Sequence, residues 1–261
     1  MNNKYNEYNL SLVSAALTLL AFVMSSCTSG TSTTVNKTAD APSKSAAEIY
    51  GKALPGAVPP NALGAANAPV TLEEFADFQC PTCALMHPKV QELRAAYGDR
   101  LRIIFREFPL KIPAHDKSYE AAVAAEAAGM QGKFWDMQNL LFANPSTWSI
   151  APTYRQIFED YAQKLGLNVE KFKDDMAGLM TKNRVNADLE RGNSLGLNST
   201  PSFFINGNPA QDLTVEGMKN MIDAELQKNQ TSSQPAQTSP TVAANNAVQT
   251  NAGKPTDAEK K

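Results

Sequence analysis

The chain predicts an α/β domain: a strand–helix–strand unit, then a long helical block, a hairpin and a closing helix. Three observations carry this reading. Cys80-Pro81-Thr82-Cys83 falls where the apolar segment Pro69–Phe78 gives way to an amphipathic one reaching Tyr97. From Ala114 to Leu197 apolar residues recur mostly at helix spacing. Beyond that block, Ser202-Phe203-Phe204-Ile205 runs into Asn206-Gly207, the signature of a strand entering a tight turn.

The ends of the chain are read as lying outside the fold. Residues 1–26 look like a signal peptide, with Lys4 near the start, an uncharged run Leu10–Met24, and the small residues Ser25-Ser26 before Cys27. A membrane-spanning helix is the rival, but it needs about 20 apolar residues, and this run carries Ser11, Ser14 and Thr18. The segment resembles a bacterial lipoprotein signal, with Met24 where such signals usually have Leu or Val. That resemblance implies lipid on Cys27, leaving Cys80 and Cys83 as a pair, and export to an oxidising compartment. Residues 27–45 then form a flexible tether rich in Ser, Thr and Ala. Residues 229–261 lack aromatics and are expected to be a disordered tail. What remains, 46–228, is a suitable size for one domain. A formal net charge of −2 gives no electrostatic footprint for nucleic acid.

Within the domain the elements follow in order. Pro69–Phe78 is expected as a strand, and a helix runs from the cysteine pair through Leu85, Val90, Leu93 and Ala96 to a stop at Gly98. Leu101–Phe105 is a second strand, parallel to the first across a right-handed crossover. In the helical block, about 114–197, Ala121–Ala128 has high helix propensity, and Tyr154, Ile157, Phe158, Tyr161, Ala162 and Leu165 repeat at helix spacing. Gly192, Gly196, Ser199 and Pro201 end it, and Val215–Leu226 closes the domain as a helix.

Glu74-Phe75-Ala76-Asp77-Phe78-Gln79-Cys80-Pro81-Thr82-Cys83, Phe105-Arg106-Glu107-Phe108-Pro109-Leu110, Gly132-Lys133-Phe134-Trp135 and Ser199-Thr200-Pro201-Ser202-Phe203-Phe204-Ile205-Asn206-Gly207 together resemble the DsbA-type thiol–disulfide oxidoreductases. The resemblance runs from about 60 to 228 and implies a thioredoxin fold with an inserted helical domain. It also implies that Pro201 is a cis-proline facing the cysteines, with the backbone at Thr200 holding an extended substrate beside Pro81 and Thr82. Glu74, six residues before Cys80, matches the buried acid of such enzymes, the proton acceptor for Cys83.

The residues themselves support part of this. Cys80 falls at a helix N-cap, where free N–H groups and the helix dipole stabilise a thiolate, with Pro81 suited to the first helical position. Alternation puts Glu74 on the apolar face with Val70, Leu72 and Ala76, where desolvation raises a carboxyl pKa; a solvated strand edge is the alternative. The cysteines could instead bind zinc, though only His87 and His115 are at hand as nitrogen donors. They could also bind copper with Met86 and His87, or form an inert staple. His87, one turn past Cys83, is a solvated residue or tunes the thiolate; Pro88 should kink the helix there. His115 reads as structural, and Trp135, Phe134, Tyr154 and Phe158 as core rather than a substrate groove.

The implied chemistry is dithiol–disulfide exchange that oxidises client proteins, Cys80 attacking and Cys83 resolving, with no cofactor or metal required. Pro-Thr between the cysteines departs from the Pro-His of the best-known DsbA and removes one hydrogen-bonding and charged group. Expected partners are reduced exported clients and a membrane quinone reductase of the DsbB type, the protein acting as a monomer lipid-anchored in the periplasm, the outer membrane being favoured. Alternatives are an isomerase or reductase of the same fold, although DsbC-type proteins carry a larger N-terminal domain, and a copper-delivery protein.

Overall fold

A computed structural model of the chain describes residues 45–232. It opens with α1 (Ala46–Lys52), β1 (Asn61–Leu63), β2 (Val70–Ala76), α2 (Pro81–Tyr97) and β3 (Leu101–Glu107). Helices α3 (Ser118–Gly129), α4 (Phe134–Ala143), α5 (Pro145–Trp148), α6 (Tyr154–Lys164), α7 (Val169–Ala177) and α8 (Leu179–Ser194) follow, then β4 (Ser202–Ile205), β5 (Asn208–Pro209) and α9 (Val215–Ser232). The signal segment, Cys27 and most of the tail lie outside the described residues.

The strand order is β1-β3-β2-β4-β5. β2 and β3 pair in parallel from Val70 opposite Leu101 to Ala76 opposite Glu107, the expected crossover product. β4 adds to β2 antiparallel, with Glu74 opposite Phe203, and the hairpin turns at Asn206, whose φ is 47°, and Gly207, at 81°. The outer strands are short and guarded by proline: β1 follows Pro59-Pro60, and β5 ends in Pro209. This is a thioredoxin fold with an inserted helical domain.

Both faces of β2 are covered, so six of its seven residues are buried. On one face α2 and α9 lay Met86, Val90, Leu93, Met218 and Ile222 over Val70, Leu72, Ile103 and Phe203. The inserted helices pack Ala121–Ala125, Met137, Leu141, Trp148, Phe158, Phe172 and Val185 into a second cluster that also takes in Phe78, Phe105, Cys80 and Cys83. The cysteines therefore sit where the insertion meets the sheet. Phe75, Phe108 and Phe204 form a third cluster with Tyr50 and Leu197. Gly192 of α8 faces the Phe108 and Phe75 rings, and a Cβ there would overlap Phe108.

Several expectations need correcting. The buried stripe of α2 is Cys83, Met86, Val90, Leu93 and Tyr97. Leu85, at 68% exposure, and Ala96 face away, because the helix phase is set by Cys83 rather than Leu85. Helix α9 runs to Ser232, past the expected tail boundary at 229, and the Asn229 side chain donates to the Pro69 carbonyl at 2.9 Å. Ser45 is the N-cap of α1, its hydroxyl accepting from Glu48 N, and not tether. Phe134 and Phe158 are buried and Trp135 and Tyr154 half-buried against the same cluster, as a core role requires.

Candidate active site

The turn after β2 is built by Asp77. Its backbone carbonyl accepts from Cys80 N at 3.1 Å. Its fully buried carboxylate takes hydrogen bonds from Gln79 N at 2.7 Å and Ser118 Oγ through Oδ1, and from Leu110 N at 2.8 Å through Oδ2. His115 Nδ1 lies 2.6 Å from Oδ2. Asp77 thus ties the cysteine turn to the post-β3 loop and to α3. A sequence reading sees this residue only as part of a motif, because three of its side-chain partners, Leu110, His115 and Ser118, lie more than thirty positions away.

Cys80 is the N-cap of α2, in extended conformation, with Pro81 as the first helical residue, so the free N–H groups of the first turn face its sulfur. No disulfide joins the two cysteines in this structure. Cys80 Sγ also lies 3.4 Å from the carbonyl of Thr200, the residue preceding Pro201, and the Thr200–Pro201 bond is cis as expected. The Thr200 hydroxyl is buried without a partner. Pro81 and Thr82 are exposed beside the cysteines.

The two sulfurs are driven apart in acidity. The Cys83 side chain above all, with the amides of Cys83 and Thr82, stabilises a Cys80 thiolate, lowering its pKa from 9.0 to about 5 against the opposing effect of burial. Burial, with the neighbouring Cys80 charge, pushes the Cys83 thiol well up. Cys80 is 6% exposed against none for Cys83, and the Thr200–Pro201 segment covers it.

Glu74 is buried as the alternation predicts, its register partners being Phe105 and Phe203. Its Oε1 has no hydrogen-bond partner, and burial raises its pKa to about 8. The solvated-edge alternative fails. His87 turns to the insertion, with Nε2 2.8 Å from Asn139 Oδ1 and its ring against Phe142, and burial lowers its pKa. His115 belongs to the Asp77 turn, so neither histidine joins the cysteines in a metal-ligand cluster among the described residues.

On the other face of β2, Glu73 is buried and fully paired: Arg191 grips it through Nε and Nη2 at 2.8 Å, Arg106 Nε donates at 2.7 Å, and Tyr50 Oη at 2.7 Å. These arginines hold the Glu73 carboxyl below its usual range despite burial. Arg106 also binds Asp188 and the carbonyls of Pro55 and Ala57, while Arg191 binds that of Leu54. The sequence does not reveal this network, since its members are spread from residue 50 to 191.

A thioredoxin family model matches residues 57–224. The chain belongs to the thioredoxin family. Among solved structures it is similar to a thioredoxin-like oxidoreductase from Silicibacter pomeroyi, at 25% identity and TM-score 0.55, over 65% of this chain and 92% of that one. It shares the fold of α-DsbA1 from Wolbachia pipientis, at 21% identity and TM-score 0.60, covering 68% and 96% of the two chains. BdbD from Bacillus subtilis matches at 23% and TM-score 0.56, over 67% and 98%. The fold is that of the DsbA-type oxidoreductases. Curated relatives include proteins named Na(+)/H(+) antiporter NhaA 1, one from Mycolicibacterium gilvum being 38% identical over 146 residues. That match takes in 55% of this chain, which spans only 23% of that relative's length. Among the described residues of this thioredoxin-family chain, no helix is long and apolar enough to cross a membrane.

Proposed function

We propose that this chain is an exported thiol–disulfide oxidoreductase that introduces disulfides into client proteins. The observation that carries the proposal is the Cys80 thiolate held at about 5 by Cys83 and the helix N-terminus beside Thr200. A thiolate stabilised in the folded reduced form makes reduction of the disulfide favourable, so the oxidised protein passes its disulfide on.

In that reaction a client thiolate attacks Cys80 Sγ. The Cys80–Cys83 bond breaks, and Cys83 leaves as a thiolate that its buried setting strongly drives to take a proton. Glu74, with its pKa raised to about 8, is the proposed proton carrier for Cys83: it supplies this proton in the oxidising direction and accepts it back when Cys83 resolves a mixed disulfide. The client's second thiolate then attacks its own sulfur in the mixed disulfide and Cys80 departs as the stabilised thiolate. Two electrons move from client to protein. Thr200 and Pro201 hold the client backbone, with Pro81 and Thr82 lining the approach, and a membrane quinone reductase of the DsbB type restores the disulfide. No isomerase-type dimerisation domain occurs among the described residues, and the proposed protein works as a monomer.

Titration of the reduced protein by thiolate absorbance and by iodoacetamide should give a Cys80 value near 5, and Cys83→Ala should trap clients as mixed disulfides. A value near the free-thiol figure of about 8.5, or alkylation of Cys83 first, would rule out the oxidase direction in favour of reduction or metal delivery. Lipid on Cys27, anchoring the domain at the periplasmic face of the outer membrane, belongs to the same proposal. Cys27→Ala should release the protein, whereas an unmodified Cys27 mass in membrane extracts would exclude the anchor.

A further inference from the structure

One imidazole reaches the turn that carries the cysteines. His115 ends the short turn Pro113–His115 after β3, and its Nδ1 sits 2.6 Å from Asp77 Oδ2. That oxygen already accepts from Leu110 N, so Nδ1 carries the hydrogen and donates it. The other oxygen, Oδ1, accepts from Gln79 N at 2.7 Å and closes a side-chain turn over residues 77–79. Gln79 Oε1 in turn accepts from Lys117 N at 2.6 Å. Cys80 follows directly, its amide bonded to the Asp77 carbonyl at 3.1 Å, and a backbone hydrogen bond from Asp77 favours a thiolate at Cys83. Among the described residues no lysine or arginine pairs with Asp77. Lys117, the nearest cation along the chain, pairs with Asp116 and lies over the Tyr154 ring. The Asp77 carboxylate is thus fastened on one side to His115 and on the other to the cysteine turn.

We propose that His115 is a positioning residue for the cysteine pair: its Nδ1–H fixes the Asp77 carboxylate, and that carboxylate holds the turn presenting Cys80 Sγ to a client. This role rests on the redox reading above and adds a residue to it. The Asp77 side chain has no exposed surface, so water cannot replace a lost donor. Without the imidazole, Oδ2 keeps Leu110 N alone and the carboxylate is free to rotate. Its hold on Gln79 N then loosens, and with it the alignment of the Thr82 and Cys83 amides on the Cys80 sulfur. The less compensated negative charge beside the turn acts in the same direction, because a nearby like charge disfavours a thiolate. Both effects weaken the Cys80 thiolate and so weaken the protein as an oxidant. Since Asp77 also accepts from Ser118 Oγ of α3, the same carboxylate makes the reactivity of the site depend on how the insertion is seated.

The test uses the full chain as wild type, His115→Ala, His115→Gln and His115→Asn. Cys80 is titrated by its iodoacetamide rate against pH, and the disulfide is equilibrated with glutathione. An asparagine amide falls where Nδ1 stood, whereas a glutamine amide falls nearer the place of Nε2. His115→Ala and His115→Gln should therefore raise the Cys80 pKa from about 5 to about 6 and move the glutathione equilibrium about tenfold toward the oxidised protein. His115→Asn should stay within about threefold of wild type in both readings. Should His115→Ala fail to fold, His115→Gln against His115→Asn carries the comparison. A lowered Tm with an unchanged Cys80 titration and an unchanged equilibrium makes His115 structural only and overturns the proposal. His115→Asn as impaired as His115→Gln overturns it as well. A wild-type Cys80 titrating near the free-thiol figure of about 8.5 is a different failure, since it removes the redox reading itself and this role with it.

Discussion

Residue by residue, acidity is set by what surrounds each group more than by its type. Cys80 and Cys83 are the same side chain three positions apart, yet one is held as a thiolate and the other as a thiol. The largest stabilising influence on the Cys80 thiolate is the Cys83 side chain. Cys83→Ala should therefore raise the Cys80 pKa from about 5 toward the free-thiol value, read from thiolate absorbance against pH. No change would assign the stabilisation to the helix end alone. Glu74 makes a separate prediction. Its folded value of about 8 lies above the unfolded 4.5, so between them the folded state holds a proton that the unfolded chain has released. Stability then falls as pH rises through that window and is unaffected below it. Glu74→Gln should flatten this slope, gaining stability over wild type at pH 8 by at most roughly 5 kcal/mol, and should slow resolution of mixed disulfides. Denaturant unfolding at pH 5 and pH 8 checks the sign.

At the level of elements, the insertion depends on close contact with the sheet. Gly192 brings α8 against the Phe108 and Phe75 rings, where an added methyl would overlap Phe108. Gly192→Ala carries no helix-propensity penalty, so any loss reports the contact itself. A loss of about 1–3 kcal/mol is expected from such overpacking, measured by chemical denaturation; an unchanged or higher midpoint would mean the interface yields freely. The central elements were readable because each announces itself locally. Alternation marks β2, alanine density marks α3, and Asn206-Gly207 marks the hairpin. By contrast α1 and β1 gave no usable pattern. β1 is three residues between Pro59-Pro60 and Gly64, and it becomes a strand only by pairing with Phe105, Ile104 and Ile103 of β3.

Across the whole molecule, the cysteine pair at its helix N-terminus was legible and the polar interior was not. Cys80, Cys83 and Pro201 sit in motifs that name their own chemistry, and Glu74 betrays itself by breaking an apolar face. Glu73, on the opposite face of the same strand, anchors a buried network joining β2, β3, α8 and the carbonyls of Leu54, Pro55 and Ala57. Its partners come from distant parts of the chain, and no local pattern encodes such a meeting. Arg191→Met strips away the bidentate partner and leaves Glu73 under-compensated, so the fold should lose about 3–5 kcal/mol. Thermal unfolding would show it, and a loss below 1 kcal/mol would mean Arg106 and Tyr50 suffice.

The sheet margins have a consequence for a protein whose proposed clients arrive unfolded. An open, long margin would recruit those clients strand by strand and seed their aggregation. Here one margin is three residues long behind Pro59-Pro60, and the other is two residues ending at Pro209. Neither offers enough free backbone to template an incoming chain. A client's main chain is then left with the Thr200 segment as its docking line, beside the sulfur that reacts with it. Capture and chemistry become the same event, and a client that has gained its disulfide has nothing else on the sheet to hold it.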